Sequence, residues 1–175
     1  TIGSVALASD NSLQEIVLIG TGVVDLAEDR KTPVAVSTVK AAEIQARVTG
    51  NVEFAEVLKN TPSVYVSNQA GGFGDGQMFT RGFSQSNTAF LLNGQPINSM
   101  EDGKMYWSNW SGMSDVANAV QIQRGLGSSK LAVSSVGGTI NVITRAADRA
   151  EGGFVTAMTG NDSYLKTVAS YNTGL

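Results

Sequence analysis

The chain has 175 residues, enough for one domain with a hydrophobic core, and 42% of them are apolar. The formal net charge of -3 and the low charged fraction of 15% give no basic surface for nucleic acid, which is therefore excluded as a partner. Cysteine and histidine are absent, which excludes a disulfide framework, a thiolate metal site and histidine-based catalysis.

The beginning of the sequence contains two short pieces of different character. Residues 1–12 alternate weakly and end in a polar run, which predicts either a strand remnant with a linker or a disordered leader. Residues 13–22 place apolar, partly β-branched residues after an acidic one and end in glycines. This second pattern predicts either an ordinary core strand or an extended segment that adds to the sheet edge of a partner protein.

The middle of the chain, residues 23–150, is rich in strand patterns. These patterns are β-branched, alternating or apolar runs, at residues 32–39, 63–67, 77–83 and 88–92. The last run is followed by Asn93-Gly94, the dipeptide most typical of a tight hairpin turn. Glycines near residues 125 and 138 are expected to permit special backbone conformations and close packing.

Helix patterns lie between these strands. Residues 40–47 have helix composition. After Asn51, a plausible cap, apolar residues recur at helical spacing at Phe54, Val57 and Leu58. One helix or two short ones are therefore expected, and their mixture with strands predicts an α+β domain with a small mixed sheet.

The last part of the chain has two stretches of about 9 to 11 residues, the length of a membrane β-strand, on either side of a polar turn. In the second stretch Leu165, Ala169 and Tyr171 fall on one face, with Lys166 and Ser170 on the other. This alternation suits a strand with lipid outside and a lumen inside, and an ordinary soluble hairpin has a similar pattern.

Four motifs, in a fixed order, together resemble one known family. They are LKNTPSV at 58–64, FTRGF at 79–83, FLLNGQPI at 90–97, and IQRGLGSSKL with VGGTINVIT between 122 and 144. This series resembles the plug domain of TonB-dependent outer-membrane receptors, in the form found in Bacteroidetes-type bacteria. The resemblance covers residues 15–146.

The resemblance implies a division of the chain. Residues 1–12 would be the tail of an upstream domain or a linker, residues 13–22 the TonB-box segment, residues 23–150 the plug domain, and residues 151–175 the first antiparallel strands of a transmembrane β-barrel. Within the box, the residues expected to bind the C-terminal domain of TonB are Glu15, Ile16, Val17, Leu18 and Ile19. The other expected partners are the barrel of the same chain and outer-membrane lipid.

The function implied by the resemblance is active transport rather than catalysis, with no cofactor. Such a receptor lies in the outer membrane of a Gram-negative bacterium, binds a scarce small molecule such as a siderophore, vitamin, sugar or peptide at the extracellular face, and imports it with energy from TonB. The alternative is a free-standing plug-like module that binds a ligand without transporting it.

Two arginines are expected to hold the plug in place. Arg81 and Arg124 each precede a glycine at the end of a strand, and they resemble the family's paired arginines that face carboxylates of the barrel wall. A guanidinium group can bind a carboxylate through two parallel hydrogen bonds in a partly buried site. The alternative is two solvated arginines at strand ends.

Two loops are expected to contact the ligand, because aromatic and polar residues on long loops are typical of recognition surfaces. The candidates are Gln69, Phe73, Asp75, Met105, Tyr106, Trp107 and Trp110. The alternative for the aromatic residues is that they pack the plug against the barrel wall. The loop acids Asp75, Glu101 and Asp102 lack the spacing of a calcium loop, so no metal site is expected.

Overall fold

The computed structural model describes residues 35–48, 50, 52–68, 74–125, 135–144 and 151–173. The predictions for the TonB-box residues Glu15 to Ile19, and for Gln69 and Phe73, lie outside these ranges. The described strands are β1 Ala35–Lys40, β2 Val64–Ser67, β3 Gln77–Thr80, β4 Thr88–Leu92, β5 Gln95–Pro96, β6 Ala117–Arg124, β7 Gly138–Thr144, β8 Gly152–Thr159 and β9 Leu165–Asn172. The described helices are α1 Ala41–Arg47, α2 Met113–Val116 and the 3₁₀ helices Phe54–Leu58, Gln85–Asn87 and Trp107–Trp110.

A five-stranded sheet in the order β1-β6-β7-β4-β5 forms the centre of the structure described before β8. The β7–β4 pair is parallel and the other pairs are antiparallel, so the predicted mixed sheet is confirmed. Strands β2 and β3 pair separately as an antiparallel ribbon. No helix in the described ranges is long and apolar enough to cross a membrane.

The two central strands, β6 and β7, are buried on both faces. Val120 and Ile122 of β6 lie opposite Val142 and Ile140 of β7 and belong to the main hydrophobic core. Because side chains alternate along a strand, the intervening residues point to the other face. These are polar residues that are also buried: Gln121, Gln123, Thr139 and Asn141.

The helix pattern after residue 51 forms a 3₁₀ helix rather than an α-helix. It begins at Phe54 and ends at Leu58, and its buried residues include the three apolar residues of the sequence pattern. The residue at the cap position is Glu53, not Asn51, and its side chain makes no capping bond. Its carboxylate binds a distant loop, as described below.

The Asn93-Gly94 turn is confirmed. The two residues have φ values of 50° and 83°, the pair of positive angles that a tight type I′ hairpin requires. The turn joins β4 to the short β5. The Asn93 side chain also fixes the end of β7, since its Nδ2 donates to Thr144 Oγ1 at 2.8 Å and its Oδ1 accepts from Thr144 N at 2.8 Å.

The last two strands, β8 and β9, pair as an antiparallel hairpin over their full length. In β9 the face with Leu165 and Tyr171 is exposed, whereas the opposite face is partly buried. Two polar contacts join the hairpin to the preceding part of the chain. Lys166 Nζ lies 2.8 Å from Asp115 Oδ1, and Tyr164 Oη donates to the Gly50 carbonyl at 3.0 Å.

Candidate functional site: the arginine pair and the facing loops

The ribbon β2–β3 has a candidate site at each end of β3. Asp75 and Gly76 lie immediately before β3, and Arg81 follows it. Strand β3 ends three residues earlier than the sequence pattern predicts, because Arg81 and Gly82 adopt positive φ values of 55° and 84° and turn the chain. Four strand residues, about 13 Å of extended chain, therefore separate the loop from the arginine.

The structure brings the two predicted arginines together. Arg124 ends β6, and Gly125 after it has a φ of 84°. A Cβ atom on Gly125 would collide with Nη1 of Arg81, so the Arg81 guanidinium group lies against the backbone that follows Arg124. The turn before β2 supports both residues: Arg81 N donates to Ser63 O at 2.8 Å, and Arg124 Nη1 donates to Pro62 O at 3.4 Å.

Neither arginine has an acidic partner within 4.0 Å among the residues that the structure describes. Arg81 is exposed, whereas Arg124 is half-buried and its Nε is a buried donor with no acceptor in the described structure. A buried donor without an acceptor costs free energy. The pair is therefore a site with two adjacent positive charges and free donors, which suits one or two carboxylates.

The two predicted ligand loops contact each other through Asp75. Its Oδ1 accepts hydrogen bonds from Ser108 Oγ at 2.8 Å and from Ser108 N at 3.3 Å. Ser108 belongs to the 3₁₀ helix Trp107–Trp110. Asp75 is exposed, so the carboxylate remains accessible at the junction of the two loops.

Met105 and Trp107 are core residues. Each is 2% exposed. Trp107 lies edge-on to Phe90 with 5.3 Å between ring centroids, and its Nε1 donates to Gln85 Oε1 at 2.9 Å. The expectation that Met105 and Trp107 contact ligand is corrected accordingly, because their side chains lie in the hydrophobic core.

Tyr106 is the exposed member of this aromatic group. The residue is 41% exposed, and its hydroxyl donates to Asp102 Oδ2 at 2.8 Å. Asp102 Oδ1 accepts from the Lys104 amide at 3.1 Å. The hydrogen bonds from the Lys104 amide and from the Tyr106 hydroxyl lower the pKa of Asp102 to about 2, and the same bond with Asp102 raises the pKa of Tyr106.

Trp110 faces the hairpin. It lines a cavity of about 650 Å³ beside strands β8 and β9, where the apolar lining includes Met113, Phe154 and Val168. Trp110 therefore lies next to the hairpin rather than among the exposed loop residues. No group of three or more acidic, histidine or cysteine residues suited to a metal ion occurs in the described ranges.

We expect Tyr106→Phe to raise the pKa of Asp102 from about 2 toward the ordinary value of 3.8, because the mutation removes a hydrogen bond that favours the ionised carboxylate. A lowered pKa means that the loop contact is complete above pH 3.8 and is lost as the pH falls toward 2. A ¹³C NMR titration of aspartate-labelled protein measures this. An unchanged Asp102 titration in the variant would show that the Tyr106 hydroxyl does not act on it.

Sequence reasoning missed Glu53. This residue is 4% exposed, and its carboxylate accepts hydrogen bonds from Gly74 N at 2.7 Å and Gly76 N at 3.0 Å. The signal available in the sequence was an acidic residue directly before the apolar residues of a buried helix. The glycine loop that binds the carboxylate lies 21 to 23 residues away, and no local pattern connects the two.

Comparison with known proteins identifies the chain's relatives. The family model described as TonB-dependent Receptor Plug Domain matches residues 28–139. The vitamin B12 transporter BtuB of Vibrio vulnificus is 29% identical over 138 residues, covering 79% of this chain and 22% of BtuB. The ferric enterobactin receptor PirA of Pseudomonas aeruginosa is 27% identical over 173 residues, covering 86% of this chain and 23% of PirA.

Solved structures show the same fold. The FpvAI–pyocin S2 complex matches with a TM-score of 0.62 and 20% identity, covering 82% of this chain and 18% of that one. The siderophore receptor PirA of Acinetobacter baumannii matches with a TM-score of 0.57 and 18% identity, covering 82% and 22%.

The chain spans about a fifth of the length of the curated relatives it matches. These relatives come from Vibrio and Pseudomonas, so they do not confirm the expected Bacteroidetes-type lineage. The family itself is established by the plug-domain match, which covers more than half of the chain, and by the α+β fold with its mixed sheet. The chain belongs to the TonB-dependent receptor family and contains its plug domain.

Proposed function

We propose that the chain is the plug region of a transporter in the outer membrane of a Gram-negative bacterium, which binds a scarce nutrient at its extracellular face and imports it with energy delivered through TonB. The observation that carries this proposal is the plug-domain match over residues 28–139. The curated relatives are named as transporters or receptors, which supports transport rather than catalysis.

The first candidates for the cargo are metal chelates. One relative is named for vitamin B12 and two for ferric enterobactin. Sugars and peptides are further candidate ligands to be tested for uptake. On the plug, Asp75 and Tyr106 are exposed and therefore available to a ligand. Gln69 and Phe73 remain candidates from the sequence alone.

The arginine pair would hold the plug inside its barrel. Two neighbouring guanidinium groups without described carboxylates, one of them with a buried unpaired Nε, fit acidic residues on a surrounding wall. Breaking a buried arginine–carboxylate pair leaves a charge without its partner, which costs free energy. The contact would therefore resist movement of the plug until TonB pulls. In this proposal Arg81 and Arg124 are the lock.

The β8–β9 hairpin would begin the barrel in the same chain. Val155, Leu165 and Tyr171 are 70% exposed or more, which suits contact with membrane lipid. The opposite face of β9 contacts the plug through Lys166. Among the strands that the structure describes, β8 and β9 pair only with each other. In a barrel their outer edges would pair with further strands.

Val17→Pro in the intact protein tests the energy coupling. Proline cannot donate a main-chain hydrogen bond, so addition of residues 15–19 to a sheet edge of TonB should fail. We expect uptake of radiolabelled vitamin B12 or ferric enterobactin, whichever the wild type takes up, to be abolished while binding to whole cells is retained. Capture of the TonB C-terminal domain should be lost in parallel.

Val17→Ala is the matched control, because it shortens the same side chain and keeps the backbone N–H. Uptake and TonB capture should persist in this variant. Uptake that survives Val17→Pro would show that the box is misassigned. Binding without uptake by the wild type would instead favour a ligand-binding module without transport activity.

A further inference from the structure

We propose that Glu53 is the residue that positions the ligand-facing loops of this receptor. In this inference its buried carboxylate holds residues 74–76 against the plug core and, through Asp75, fixes the helix Trp107–Trp110. The inference rests on the proposed function, since it assigns a role to loops that are proposed to meet the ligand. Glu53 itself would not touch the ligand, because it is 4% exposed.

The carboxylate of Glu53 is bonded to one loop and to no described cation. Its Oε1 accepts from Gly74 N at 2.7 Å and its Oε2 accepts from Gly76 N at 3.0 Å. No lysine or arginine within the described ranges lies within 4.0 Å of it. Burying a carboxylate is costly unless hydrogen bonds satisfy it. Both oxygens are satisfied by the same three-residue segment, so the carboxylate fixes that segment in place.

The segment fits closely around the carboxylate. A Cβ atom at Gly76 would lie 2.6 Å from Glu53 Oε2, and Gly74 has a φ of 139°. A side chain at residue 76 would displace the carboxylate, and a side chain at residue 74 would strain the backbone. The two glycines therefore form a cradle of N–H groups shaped for an anion supplied by the plug itself.

Asp75 lies between the two glycines that bind Glu53, and it also binds the helix Trp107–Trp110 of the second predicted ligand loop. Its Oδ1 accepts from the backbone and hydroxyl of Ser108. Ser108 follows Trp107, whose ring centroid lies 6.1 Å from that of Phe54, the residue next to Glu53. The two loops are thus fixed to each other and to the same part of the core, so displacement of one loop is expected to displace the other.

Residue-resolved hydrogen–deuterium exchange in the intact, detergent-solubilised protein tests the inference without any ligand. In Glu53→Gln one carboxylate oxygen is replaced by an amide NH₂, which cannot accept a hydrogen bond. The NH₂ can face either glycine, so we expect faster exchange at Gly74 or at Gly76. The increase should be about tenfold at Gly74 and smaller at Gly76, because Gly76 N also donates to Gly74 O at 2.6 Å. The Ser108 amide should also exchange faster.

Glu56→Gln is the matched control. Glu56 lies on the 3₁₀ helix that Glu53 precedes, pairs with Lys59 and makes no described hydrogen bond with residues 74–76. Exchange at Gly74 and Ser108 should not change in this variant. The amides of β6 and β7 should keep their protection in both variants, since a positioning role leaves the central sheet intact.

Unchanged exchange at both Gly74 and Gly76 in Glu53→Gln would overturn the inference, and so would faster exchange spread equally over β6 and β7, which indicates a general folding role. If Glu53→Gln does not fold, Gly76→Ala disturbs the same contact from the loop and should accelerate exchange at Gly74 and Ser108. These measurements do not depend on transport. Failure of the proposed function, seen as wild-type protein without uptake, is therefore distinguishable from failure of this inference.

Discussion

Gly138→Ala is expected to lower the free energy of unfolding of the plug by about 3 kcal/mol or more. Gly138 has a φ of 141°, a conformation that side chains rarely adopt. A Cβ atom there would collide with the carbonyl oxygen of Gln123, which belongs to the neighbouring strand β6. Backbone cannot move aside as a flexible side chain can, so the β6–β7 pairing must distort. Protection of the β6 and β7 amides against hydrogen exchange in the intact protein measures the loss.

Gly82→Ala is the control for this prediction. Gly82 also has a positive φ, of 84°, but its added Cβ would meet nothing within 4 Å. Only backbone strain of about 1 to 2 kcal/mol is expected. Equal losses in the two variants would show that crowding against Gln123 is not what requires glycine at position 138.

The parts of the fold that follow from local chemistry could be predicted from the sequence. The Asn93-Gly94 turn is one, because both residues must adopt positive φ and few other pairs do so easily. The mixture of strands and short helices is another. Helix type at residues 54–58 could not be predicted, since Phe54, Val57 and Leu58 satisfy α-helical and 3₁₀ spacing almost equally over one turn.

Contacts between distant segments could be predicted from the sequence only in part. The pairing of Arg81 with Arg124 was suggested by resemblance, and the structure adds that Gly125 makes room for the Arg81 guanidinium group. The hydrogen bond from Gly74 to Glu53 could not be predicted from the sequence. Acidic side chains are rarely buried, and the Gly74 N–H meets this one only once the distant loop has folded over it. Such departures from local rules concentrate at functional sites.

The loop aromatics show why composition could not separate a core residue from a surface residue. Trp107 and Trp110 are three residues apart on a polar loop, and both fit a recognition surface. The surroundings of each ring decide the outcome. Trp107 is fully enclosed by the core and has the amide of Gln85 as partner for its N–H. Trp110, one 3₁₀ turn later, is only partly buried against that core and lines the cavity beside the hairpin. These surroundings come from distant segments and cannot be seen in the local sequence.

Trp107→Ala is accordingly expected to destabilise the plug by about 3 to 5 kcal/mol, the usual cost of deleting a large buried aromatic side chain. The mutation removes contacts with Phe90 and Phe54 and leaves the buried Gln85 Oε1 without its donor. Hydrogen exchange of the β6 and β7 amides in the intact protein measures this loss. Trp107→Phe should have a smaller effect, since it keeps an aromatic ring in the core and removes the N–H.

Tyr106→Ala is the matched comparison at the neighbouring position. Tyr106 is 41% exposed, and the described hydrogen bond of its side chain is to Asp102 in the same loop. We therefore expect less than about 1 kcal/mol of destabilisation together with weaker binding of the ligand. The two variants therefore separate stability from recognition. If a Trp107→Ala protein keeps full protection of the β6 and β7 amides but loses ligand binding, Trp107 contacts the ligand and its proposed role in core stability is wrong.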